Sequence, residues 1–82
     1  MVEILYFGRL MDVMGCSQER IALPDSVRDT DGLRRWLDAE RILSGALLEP
    51  TVRIAVNDAI VPEPFAVSDG DSIAFLPPVG GG

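Results

Sequence analysis

The sequence predicts an α+β domain in which one main helix packs on one face of a mixed sheet. Three observations carry this. Short runs of β-forming residues alternate with turn chemistry, one central segment changes to helical spacing, and 82 residues leave room for a single small core.

Val2 to Phe7 is apolar apart from Glu3, the pattern of a central strand covered on both faces. Gly8 and the stretch Met11 to Gly15 interrupt it. Glu19 to Leu23 resumes a strand, Ile21 and Leu23 alternating with Arg20 and Ala22, and is expected to pair antiparallel with the first. After the turn residues Pro24-Asp25-Ser26, the segment Thr30 to Glu40 sets Leu33, Trp36 and Leu37 at i, i+3 and i+4, which reads as an amphipathic helix with Trp36 as a core anchor. Thr30 is the expected N-cap. Asp29 and Asp31 complement the positive end of the helix dipole, and Arg41 the negative end.

Ile42 to Leu48 is apolar but broken by Ser44-Gly45 and stopped by Pro50, so it is either a short second helix or an irregular crossover. Thr51 to Val56 is a strand, with Val52, Ile54 and Val56 on one face. Asn57-Asp58 tolerate the positive φ of a tight hairpin, and Ala59 to Val61 returns briefly before Pro62 and Pro64 end the pairing. Asp69-Gly70-Asp71 turns the chain into a last strand, Ser72 to Leu76. This order of elements is compatible with a ubiquitin-like β-grasp. We expect residues 1–76 to form that domain and residues 77–82 an extended, flexible Gly-Gly tail.

Composition narrows the function. The net charge of −6 opposes nucleic-acid binding, no apolar run is long enough to span a bilayer, and the single Cys16 cannot form an internal disulfide. A soluble cytoplasmic protein is expected. With no histidine and one cysteine, the commonest general base and most transition-metal sites are missing, so hydrolytic or metal chemistry is not expected.

The C-terminus carries the most information. Pro77 cannot donate to a sheet ladder, and Pro77-Pro78 favours extended backbone, so the last strand should stop there and the chain project. The five residues after Pro77 could reach about 15 Å beyond the sheet. Glycines at the end leave no Cβ beside the Gly82 carboxylate, which suits activation as an acyl-adenylate and replacement of the adenylate by sulfur.

These residues resemble the MoaD family of small sulfur-carrier subunits of molybdopterin synthase. The likeness spans essentially the whole chain. It lies in Leu5-Tyr6-Phe7, Val52 to Asn57, Asp69-Gly70-Asp71 and Ala74-Phe75-Leu76-Pro77-Pro78-Val79, followed by Gly81-Gly82. Gly80 stands where alanine or serine is common. The resemblance implies a carrier that is no enzyme by itself and binds no cofactor. Its Gly82 would be adenylated by a ubiquitin-activating-type adenylyltransferase that uses ATP, then converted to a thiocarboxylate. The charged tail, with Gly81 next to the reactive carbon, would give sulfur to cyclic pyranopterin monophosphate in the large catalytic subunit, within a heterotetramer. Phe7, Ile60 and Leu76 match the family's partner-facing apolar positions, and Pro77, Pro78, Val79 and Gly80 would lead the tail into the partner.

Three other readings share these residues. They are a sulfur carrier for thiamine or cysteine synthesis, a ubiquitin-like modifier attached through Gly82, and a persulfide relay through Cys16. For Cys16 the expected role is structural, since the nearest cation along the chain is Arg20.

Overall fold

The computed structural model describes residues 1–78. Its elements run β1 (Val2–Tyr6), α1 (Arg9–Met14), β2 (Gln18–Ile21), α2 (Thr30–Arg41), β3 (Arg53–Val56), β4 (Ala59–Ile60) and β5 (Ser72–Leu76). The five strands form one mixed sheet in the order β2-β1-β5-β3-β4. The central pair, β1 and β5, is parallel, with Tyr6 opposite Phe75, and the remaining pairs are antiparallel. This is the expected β-grasp.

Period-two alternation divides the sheet into two faces. Val2, Ile4 and Tyr6 of β1, Ile54 and Val56 of β3, and Ile73 and Phe75 of β5 are buried together beneath Leu33 and Leu37 of α2. The Tyr6 and Phe75 rings stack across the parallel pair with centroids 6.0 Å apart. The opposite face carries Leu5, Phe7, Arg53, Ala55, Ala74 and Leu76, of which Phe7 and Arg53 are exposed and Leu5 and Leu76 half-buried. The first strand is therefore central in the ladder but covered on one face only, and it ends at Tyr6, not Phe7.

Two local expectations are corrected. The interruption at Met11 to Gly15 is the helix α1, framed by Gly8 and by Gly15 at φ 78°. The cap of α2 is Asp29, whose carboxylate accepts from the Gly32 N–H at 2.8 Å. Thr30 is buried instead, exchanging bonds with Phe65: its Oγ1 accepts from the Phe65 N–H at 3.1 Å and its own N–H donates to the Phe65 carbonyl at 2.9 Å. A hydroxyl next to a stronger cap was free to tie the helix to a distant loop. Trp36 packs at the core margin and is only partly buried.

The region left open between α2 and β3 is an irregular crossover, built by two charged residues of α2. Asp38 accepts from the Gly45 and Leu47 N–H groups at 3.0 Å each, which satisfies crossover backbone and drives Leu47 into the core. One turn earlier, Arg34 donates to the carbonyls of Leu47, Glu49 and Val52 and holds the Glu63 carboxylate with two bonds, at 2.9 and 2.7 Å. Both side chains are buried and fully engaged, as polar groups in an apolar setting must be. Asn57 and Asp58 take φ of 50° and 72° in the β3–β4 hairpin, as expected.

Candidate partner-docking site

The parallel register that sets Tyr6 beside Phe75 brings Phe7 alongside Leu76, and the antiparallel register sets Leu76 opposite Arg53. One pair further along the open face, Ala74 lies opposite Ala55, which lies opposite Ile60. Alanines here keep the floor low between larger neighbours. Phe7 is 46% exposed and Ile60 57%, two large apolar side chains on one side of the sheet. Together with Leu76, Pro77 and Pro78 they line an open groove of about 980 Å³.

Five of the sequence-predicted site residues thus converge, although Phe7, Ile60 and Leu76 come from three separate parts of the chain. Leu76 and Pro77 are half-buried and Pro78 is exposed, so β5 runs directly into the groove. Val79, Gly80, Gly81 and Gly82 lie outside the described residues, and with them the expected tail beyond Pro78.

Sequence reasoning missed the groove's other walls, Gly8, Arg9, Pro50, Thr51 and Arg53. Gly8 has φ 56°, and a Cβ added there would lie 2.9 Å from Pro77 Cγ. Glycine is thus required both by the backbone and by the close passage of the chain exit. Arg9 pairs with Glu49 at 2.9 Å across the crossover. Pro50 and Thr51 are held at the rim because Arg34 binds the carbonyls on either side of them. A Pro-containing strand start and a lone positive-φ glycine carry no such message in the sequence, since their significance is their neighbour.

Cys16 does not line the groove. It packs against the core with Sγ 3.9 Å from Glu19 Oε2. Glu19 is the hub of a small network, accepting from the Tyr6 hydroxyl at 2.7 Å and from Arg41 at 2.5 Å. Burial pushes the Tyr6 phenol up, reinforced by the hydrogen bond to Glu19. Burial would also raise the Glu19 carboxyl, but the bonds from Arg41 and Tyr6 together outweigh it and hold the group below the usual carboxylate range. This network fastens β2 to β1 and α2. Among the described residues, no cluster of three potential metal ligands occurs and no helix is long and apolar enough to cross a membrane.

A model of the ThiS family matches residues 4–82. The chain belongs to this family. One relative, the molybdopterin synthase sulfur carrier subunit of Haemophilus influenzae, is 31% identical, with all of both chains covered. A solved complex of subunits 1 and 2 of molybdopterin-converting factor from Helicobacter pylori contains a chain 30% identical to this one, with a TM-score of 0.67 and coverage of 99% and 97%. SAMP1 from Haloferax volcanii, at 20% identity, a TM-score of 0.79 and coverage of 99% and 98%, shares the fold. The family therefore agrees with the β-grasp read from the strand order and with the C-terminal residues that first suggested it.

Proposed function

We propose that this chain is the sulfur-carrier subunit of a molybdopterin synthase in the cytoplasm, and that its reactive group is the Gly82 carboxylate. The observation that carries the reading is the convergence of β5, Pro77 and Pro78 with the exposed Phe7 and Ile60 in one groove. A partner seated there would hold the domain beside the point where the chain continues into Val79, Gly80, Gly81 and Gly82. The names of the Haemophilus and Helicobacter relatives support the same assignment.

In this scheme a ubiquitin-activating-type adenylyltransferase joins a Gly82 oxygen to the α-phosphate of ATP, releasing pyrophosphate. A sulfur donor then displaces AMP from the acyl carbon, leaving a thiocarboxylate. The carrier contributes no acid, base or cofactor to these steps. It contributes a terminus without side-chain obstruction and a docking surface. On the large subunit, in a heterotetramer of two carriers and two large subunits, the thiocarboxylate sulfur bonds to a carbon of cyclic pyranopterin monophosphate and water then cleaves the Gly82 acyl–sulfur bond, restoring the carboxylate; two such transfers supply the two sulfurs of the dithiolene.

Intact mass after incubation with the activating enzyme, ATP and a sulfur donor tests the first half: one oxygen should be replaced by sulfur at Gly82, and not in a chain lacking that residue. Adding the large subunit and the pterin precursor tests the second, with molybdopterin as the expected product. Sulfuration without molybdopterin would move the protein to thiamine or cysteine synthesis. Isopeptide bonds from Gly82 to lysines of other proteins would make it a modifier.

A further inference from the structure

The groove reverses the charge of the molecule around it. The chain has thirteen acidic and seven basic residues, yet the groove lining includes two arginines, Arg9 and Arg53, and no carboxylate side chain. Arg9 is answered locally by Glu49. Arg53 is different: it is exposed, opens β3 on the uncovered face, and among the described residues its side chain has no hydrogen bond or ion pair. It stands opposite Leu76 in the ladder, immediately before the chain passes to Pro77 and Pro78.

A partner that covers Phe7, Ile60 and Leu76 must also cover or skirt this guanidinium. Burying it against apolar surface would leave a desolvated, uncompensated charge, so a partner lacking an acceptor is rejected. A carboxylate suits the site best, because the arginine fork accepts it through two parallel bonds and fixes an angle as well as a distance. We infer that Arg53 is a specificity-determining residue of the docking face, which forms an ion pair with an Asp or Glu side chain of the partner and sets the orientation in which the chain exit meets it. This rests on the docking reading above and adds the chemistry that the partner must present.

The test is binding of the full-length chain to the large subunit of molybdopterin synthase from the same genome, measured by surface plasmon resonance over a salt series. Relative to wild type, Arg53→Gln should weaken binding about tenfold and Arg53→Glu about thirtyfold or more, while Arg53→Lys should retain most of the affinity. The association rate of the wild type should fall more steeply with salt than that of Arg53→Gln, a response that a merely structural residue would not give. The Arg53→Glu loss should persist in chains ending at Pro78. If it vanished there, Arg53 would be serving the chain's own terminus and the inference would fall. It would also fall if Arg53→Gln and Arg53→Glu bound like wild type while Ile60→Ser lost binding, a result that leaves the docking reading standing. Absence of wild-type binding would overturn both.

Discussion

The two faces of the sheet are built from the same strands by alternate residues, yet they behave as different materials. Phe75 and Leu76 are adjacent in β5. Phe75 is fully buried under α2, whereas Leu76 borders a groove with exposed Phe7 and Ile60 for neighbours. The buried face holds the domain together through apolar area removed from water. On the open face Phe7 and Ile60 stay largely in water, so folding removes less of their apolar area, and the partner proposed above would cover the rest. Hydrophobicity alone does not distinguish a core from an interface in a domain this small. The distinction lies in whether the chain supplies its own cover.

Substitutions on the two faces should therefore have opposite profiles in folding and binding. Phe75→Ala should lower stability by about 3–5 kcal/mol, measured by urea unfolding, because it leaves a cavity against Tyr6 and α2. Arg34→Ala should cost about 3 kcal/mol, since it strands the Glu63 carboxylate and three carbonyls. It should also loosen the Pro50–Thr51 rim, visible as faster amide exchange there. Gly8→Ala should cost about 1–2 kcal/mol through its positive φ and the contact with Pro77. In that variant the NMR shifts of Pro77 and Leu76 should move more than those of the buried face.

Glu19→Gln sharpens the picture of how the edge strand is fastened. The folded state holds this carboxyl below its ordinary value, so its contribution is present above the ordinary glutamate range and is lost as pH falls through the folded value. At neutral pH the variant should be less stable by about 1 kcal/mol, and the gap should close in acid. The smallest stability effect belongs to the open face: Ile60→Ser should change unfolding by no more than about 0.5 kcal/mol. The same variant should greatly weaken partner binding, and a large loss of stability instead would mean that the open face is part of the core.

Most of the architecture was legible in the chain. The alternation of Val52, Ile54 and Val56, the helical spacing of Leu33 and Leu37, and the turn residues Asn57-Asp58 each encode a local geometry that a few neighbouring residues enforce. The helix α1 was not legible, because six residues between two glycines are too short to show a period. Nor was the exchange of roles between Asp29 and Thr30, since both can cap a helix and only the nearby Phe65 backbone assigned Thr30 elsewhere.

The site divides in the same way. From the sequence alone it followed that the chain stops pairing at Pro77 and continues into glycines, and the family resemblance offered Phe7, Ile60 and Leu76 as partner-facing positions. Each of these depends on what a residue is. Tertiary structure alone decided that Gly8 lies against Pro77, that Arg34 and Asp38 shape the crossover from within, and that Arg53 stands beside Leu76 at the exit. Those are contacts between residues far apart in the chain, fixed by strand register and by the burial of charge, and no local pattern records them.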